Sequence, residues 1–203
     1  MNAQTFCQLF KGLVRPHLEY AQAVWSPQCK TLIRKVEDVQ RRATKLIPGF
    51  YNLKYPERLK KLKLPTLAFR RARGDVIEVY KMLSKSGGYD QTIPCIFTMN
   101  KRSSVSHWSH SKQIYHQGSK NNTLKNSFSH RVQNLWNYLP EEVVSAKNED
   151  GKETLFAFEN ALDRHWRDQE LMYDFEAKIV KKKFDKKGSG MENYNYGVLG
   201  KTQ

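Results

Sequence analysis

Residues 32–47 read LIRKVEDVQRRATKLI, and this stretch decides the fold class. Leu32, Val36, Val39, Ala43 and Leu46 recur at spacings of four, three, four and three. That rhythm predicts one amphipathic helix with those five residues as its buried stripe. Arg34, Arg41 and Lys45 fall in a narrow arc on the opposite face, with Lys35 and Arg42 to one side. A helix that is apolar behind and cationic in front can hold a polyanion against a globular body. Asp38 lies four residues after Arg34 and four before Arg42, so part of the face also reads as a solvated ion-pair ladder.

Helical signals extend in both directions. Upstream, Phe6, Leu9, Phe10, Leu13, His17, Tyr20, Ala21 and Val24 share one helical face between Ala3 and Trp25. Pro16 interrupts them, which predicts a kinked helix or two helices with Pro16 opening the second. His17 reads as a packed, hydrogen-bonded core histidine. Downstream, Pro48-Gly49 is a stop signal, and Tyr55 to Leu62 reads as a short helix with Pro56 in its first turn. Lys60, Lys61 and Lys63 crowd its end, where the helix dipole favours cations. From Thr66 to Leu83, Phe69, Ala72, Val76, Val79, Tyr80 and Leu83 form an apolar face. Arg70, Arg71 and Lys81 lie opposite, with Asp75 spaced to pair with Arg71. Residues 1–86 therefore read as a bundle of about four helices.

Residues 87–122 are polar and lose helical periodicity, as a loop or a short hairpin would. Lys101, Arg102, Trp108, His110, Lys112, Tyr115 and Lys120 suit contact with single strands, cations on phosphates and aromatics on bases; a basic connector is the plainer alternative. His107, His110 and His116 with Cys95 match no zinc spacing, so no metal or cofactor is expected. Residues 123–175 return to helix. Phe128, Val132, Leu135, Trp136 and Leu139 make one face; Thr154 can cap a second helix packed through Leu155, Phe158, Leu162 and Trp166. Residues 176–203 form a basic tail, expected to be disordered. The fold class is mainly α: a helical bundle, a polar loop or hairpin, two further helices and that tail.

Charge divides the chain into blocks. The net charge is +15 over 203 residues. Residues 28–73 hold fourteen Lys/Arg against three acids, whereas 141–176 hold eleven acids against four bases. Such blocks favour a cationic surface for nucleic acid, with the acidic stretch facing elsewhere or docked on a basic neighbour. Cys7, Cys29 and Cys95 are widely spaced, as buried thiols in a reducing compartment would be. No leader peptide or membrane span is legible, so an intracellular protein, nuclear or cytoplasmic, is expected.

Two blocks of words carry a family likeness. FCQLFKGLVRPHLEYAQAVWSP followed by LIRKVEDVQRRATKLIPGFYNLKYPERLKKLKLPTLAFRRARGDVIEVYKML resembles the region after the palm in LINE-type (non-LTR, jockey-like) retrotransposon reverse transcriptases. NSFSHRVQNLWNYLPEEVVSA and LFAFENALDRHW resemble the end of the same polyproteins. The resemblance implies that the first block is a thumb, the unit that grips the template–primer duplex, and that the second belongs to an RNA-associated region. It implies phosphate contacts at Arg15, Arg34, Arg41, Arg42, Lys45, Arg70, Arg71 and Arg73.

An RNA-directed DNA polymerase of this class clamps two Mg²⁺ ions with an Asp pair and a third Asp. The chain contains no adjacent Asp-Asp, so no catalytic residue carries over and no enzyme is expected. The expected partners are RNA and RNA–DNA or DNA duplexes, with the palm of a full-length parent as a further one and no membrane. Two alternatives stand beside this: a host interaction module using apolar faces such as those starting at Phe6 and Phe128, and a relic reading frame. A triad of Ser127, His130 and Asp163 has no nucleophile-elbow sequence around it.

Overall fold

A computed structural model describes residues 2–84, 89, 96–100, 110–115, 118, 121–181 and 192–194. Among them the chain is mainly helical. It divides into two compact units, residues 1–72 with 169–203, and residues 73–168. The division falls inside a helix, whereas the sequence places a boundary at Gly87-Gly88.

The first unit begins with α1 (Ala3–Leu9), whose first turn Asn2 caps by accepting from the Thr5 amide at 2.8 Å. A π-helical turn follows (Phe10–Val14), then α2 (Arg15–Glu19) with Pro16 in its first turn. Proline has no amide to offer the ladder, and the helix widens just before it. Ala21 adopts the left-handed conformation (φ 50°), and α3 (Gln22–Trp25) restarts the chain in a new direction. The break scatters the face read from sequence. Phe6 and Phe10 are buried and stacked at 5.6 Å, while Leu9, Leu13, Tyr20 and Val24 are exposed. His17 is exposed too, not a core histidine.

The central helix α4 (Lys30–Lys45) is where the sequence expects it, but turned. Leu32, Val39 and Leu46 are 49%, 40% and 75% exposed. The buried side is Ile33, Glu37, Gln40, Thr44 and, just past the helix end, Ile47. This second stripe has the same four-three-four-three spacing, displaced by one residue, or about 100° of helix. Its polar members are held in place by hydrogen bonds, although Gln40 Oε1 has no partner among the described residues. The Glu37 carboxylate accepts from the Tyr55 hydroxyl at 2.5 Å and from the amides of Leu67 and Ala68 at 3.0 and 3.3 Å. Gln40 donates to Tyr55 Oη at 3.1 Å and to the Pro65 carbonyl at 3.0 Å. The Thr44 hydroxyl donates to the Arg41 carbonyl at 3.1 Å.

Helix α5 (Tyr55–Leu62) carries Pro56 in its first turn and is capped by Lys63, which is left-handed with φ 50°. Tyr55, Leu59, Leu62 and Leu64 pack with Phe6, Phe10 and Ile47, and Tyr173 and Phe175 close over them. Helix α6 (Leu67–Leu83) opens in this unit. Glu37 and the Thr66 hydroxyl, which accepts from the Phe69 amide at 3.1 Å, share its first amides. Thr66 also ties in the chain's later part: its amide donates to the Met172 carbonyl at 2.9 Å and its hydroxyl to the Leu171 carbonyl at 2.6 Å. Beyond the single turn Glu170–Met172, strand β1 (Ile179–Lys181) pairs antiparallel with β2 (Glu192–Tyr194). The Gln169 side chain makes a two-way bond with the Val180 backbone at 2.8 and 2.9 Å. The other tail residues lie outside the described set.

The second unit contains the rest of α6 with α7 (Asn122–Asn126), α8 (Phe128–Asn137), α9 (Glu141–Val144) and α10 (Leu155–His165). The apolar faces of α8 and α10 are those read from sequence: Val132, Leu135, Trp136 and Leu139, then Phe158, Leu162 and Trp166 are buried. Tyr80 stacks on Phe158 at 4.1 Å, with Trp136 6.0 Å from the same ring. The Thr154 hydroxyl caps α10 by accepting from the Ala157 amide at 3.2 Å. Asp75 is 0% exposed and accepts from Arg131 at 3.0 and 3.1 Å. In the polar stretch, Thr98–Asn100 bonds antiparallel to Gln113–Tyr115, and the Asn137 amide group brackets the Ile114 backbone at 2.8 and 2.9 Å.

Candidate nucleic-acid interface

The cations singled out in the sequence meet three different fates. Some are consumed within the fold. Arg70 grips Glu19 with two nitrogens, one at 2.7 Å, and Arg15 lies 3.8 Å from the same carboxylate. Burial and the charge of Arg70 both hold the Arg15 guanidinium below its ordinary value. Arg71 is 2% exposed, and its charge helps keep the Glu37 carboxyl from rising further under burial. Arg73 is clamped by Asp163 at 2.6 and 3.0 Å and by Glu159 at 3.5 Å. Burial pulls Arg73 down, but those two carboxylates outweigh it and its pKa ends above the ordinary value. The acidic face of α10 is thus, in part, a counter-charge for α6. Lys112 bonds Glu153 at 2.5 Å and lies 5.7 Å from the Tyr80 ring centre.

Arg41 is intermediate. It pairs with Asp38 at 3.1 Å and rests over the rings of Tyr55 and Phe175, at 5.4 and 5.2 Å from their centres.

A third group stays at the surface of α4. Arg34 is 61% exposed and reaches Glu176 at 2.6 Å. Arg42 and Lys45 are exposed with no carboxylate among the described residues in ion-pair range, as is the neighbouring Lys35. Lys45 sits 5.8 Å from the ring of Tyr51, which is itself 74% exposed. At 100° per residue, Lys35, Arg42, Lys45 and Arg34 occupy one arc of about that width, following the turn of the helix. Lys60, Lys61 and Lys63 on and after α5 are exposed as well. Four cations on one helical arc beside an aromatic ring can neutralise successive phosphates while offering a stacking surface.

Lys120, with Lys101, Arg102 and Trp108, lies outside the described residues. Of that stretch His110 is described, and it is buried (2% exposed). Its Nε2 lies 3.1 Å from the Trp136 carbonyl and its ring stands edge-on to the indole. Burial lowers its pKa, against the pull of the Trp136 carbonyl and Glu141, so it is a neutral packing group. The imagined triad does not assemble. Ser127 gives its hydroxyl proton to the Leu124 carbonyl at 2.6 Å, with His130 Nδ1 at 3.1 Å, while Asp163 is held by Arg73. Among the described residues no three His, Cys, Asp or Glu side chains gather as metal ligands. No helix there is long and apolar enough to cross a membrane.

Sequence reasoning overlooked Glu37, Gln40 and Arg58. Arg58 is 1% exposed, its Nε and Nη1 have no hydrogen-bond partner among the described residues, and it lies 5.5 Å from the Tyr55 ring centre. The signal for the first two is the second four-three-four-three stripe, which a count of apolar residues passes over. Cys29, expected as a buried thiol, is exposed at the start of α4; Cys7 is half-buried and Cys95 lies outside the described residues. Searches of protein-family models, of curated proteins and of solved structures return no match to this chain.

Proposed function

We propose that the chain is a non-catalytic nucleic-acid-binding unit that grips RNA, or an RNA–DNA or DNA duplex, through its phosphates. The observation that carries this reading is the exposed cationic arc of α4, Arg34, Lys35, Arg42 and Lys45, three of them without an acidic partner among the described residues. The likeness of its sequence to a LINE-type reverse-transcriptase thumb supports the same reading. Arg15, Arg70, Arg71, Arg73 and Lys112 then serve the fold, and the grip narrows to α4.

The test is fluorescence anisotropy on a labelled RNA–DNA hybrid, titrated with salt. Three or four phosphate contacts give a slope of log K against log salt of about −3 to −3.5. Arg34→Ala/Arg42→Ala/Lys45→Ala should flatten it by about 2 to 3 with helicity unchanged. A slope near zero in the wild type, or one that the triple variant leaves alone, overturns the proposal. A second reading, an interaction module, is favoured by the exposure of Leu13, Tyr20 and Val24 at 64%, 80% and 86%. Specific self-association on gel filtration, without hybrid binding, would select it.

A further inference from the structure

The apolar stripe that α4 does not bury has a shape of its own. Leu32, Val36, Val39, Ala43 and Leu46 continue over about 21 Å of helix. Leu32, Val39 and Leu46 are 49%, 40% and 75% exposed, while Val36 and Ala43 are half-buried. In heptad terms Leu32, Val39 and Leu46 are d and Val36 and Ala43 are a. One flank of this seam, the e positions Ile33, Gln40 and Ile47, is sealed against the protein's own core at 9%, 0% and 2% exposure. The other flank, the g positions, is Lys35 and Arg42, both exposed. The seam is therefore bordered by the body on one side and by two cations on the other.

We infer that this seam docks an amphipathic helix of a partner protein that carries acidic residues along the edge facing Lys35 and Arg42. The apolar a/d rhythm calls for knobs from a second helix, and the cationic flank selects its charge. A second copy of this chain fits poorly. A symmetric antiparallel pair would set Lys35 and Arg42 against themselves. A symmetric parallel pair would bring each copy's sealed e edge, with the body behind it, onto the other's cationic flank. Nucleic acid gains little from five aliphatic side chains. The inference does not rest on the nucleic-acid reading, although Arg42 belongs to both surfaces.

The probe is a labelled 21-residue helical peptide with Leu at a and d and Glu at e and g, compared with the same peptide carrying Lys at e and g. The full chain should bind the Glu peptide at least about tenfold more tightly than the Lys peptide. Val39→Asp, at a position already 40% exposed, should weaken Glu-peptide binding at least about tenfold with the circular dichroism unchanged. Lys35→Glu/Arg42→Glu should reverse the preference between the peptides. Phe156→Asp, at an apolar residue 73% exposed on α10, should change nothing. The inference is overturned if the folded wild type binds neither peptide, or binds both alike. It is equally overturned if Val39→Asp dissolves a dimer of the free chain, or if Val39→Asp weakens the RNA–DNA hybrid as much as Arg42→Ala does.

Discussion

Replacing Glu37 with leucine should destabilise the first unit, although it puts an apolar residue into a fully buried site. The carboxylate satisfies the Tyr55 hydroxyl at 2.5 Å and the Leu67 amide at 3.0 Å, with the Ala68 amide at 3.3 Å as a weaker third. Counting only the first two, orphaning them costs roughly 2–6 kcal/mol at about 1–3 each. A buried leucine returns about 1.5–3 kcal/mol, and the burial that pushes the Glu37 carboxyl up is relieved as well. The balance is a loss of about 2 kcal/mol, or about 1.5 M in the urea midpoint for a unit of this size. Leu46→Ser is the contrast. At 75% exposure its side chain is mostly in water already, and the change should stay within about 0.5 kcal/mol. Urea unfolding followed by far-ultraviolet circular dichroism measures both. If Glu37→Leu is as stable as the wild type, the donors around the carboxylate do not outweigh its desolvation. If Leu46→Ser costs more than Glu37→Leu, the buried side of α4 is the leucine stripe and not the one running from Ile33 to Ile47.

Three further outcomes follow from the same contacts. Asp75→Asn should cost about 3 kcal/mol in thermal unfolding, because it leaves Arg131, whose side chain is 5% exposed, without its carboxylate. His110 has a lowered pKa, so its contribution to stability is present above its ordinary value of 6.5 and is lost as pH falls through the lowered one. The wild type should therefore lose more melting temperature between pH 7.5 and pH 5 than His110→Leu does; equal losses would refute the assignment. Cys29 is exposed, and the Thr31 and Leu32 amides hold its thiol below the ordinary value. Peptide mapping after brief alkylation at pH 7.5 should find it modified before Cys7.

Much of the helical layout was legible because its boundaries are written in proline, glycine and small polar residues. Pro56 and Thr154 stand at helix starts as chain stereochemistry requires, and the faces of α8 and α10 are continuous enough to read without knowing their partners. In helix α4 the apolar pattern points to the wrong face. Two stripes of identical spacing lie one residue apart, and hydrophobicity favours the leucine one. The other is chosen by groups far along the chain: Tyr55 is 18 residues from Glu37, and the Leu67 amide is 30 away. The surroundings of the candidate cations were only partly legible for the same reason. The row read from sequence, Arg34, Arg41 and Lys45 with Arg42 to one side, keeps Arg34, Arg42 and Lys45 at the surface, but Arg73 and Lys112 look equally free until Asp163 and Glu153 are brought to them. The counter-charges lie 90 and 41 residues away, beyond any local pattern.

The clasp between Thr66 and Leu171, 105 residues apart in sequence, bears on the order in which the chain can be made. A ribosome releases residues from the amino terminus, and contacts close only when both ends have emerged. Residues 73–168 are contiguous, so the second unit can fold once its own last helix is out. The first unit is synthesised first but needs Leu171, Tyr173, Phe175 and Ile179 to cover its core and occupy Thr66. The earlier-made of the two units is thus the later one to be completed, and it must wait through the synthesis of an entire second unit with its apolar helices partly uncovered. Chains released anywhere before residue 171 would always carry an unfinished first unit, whatever the state of the second.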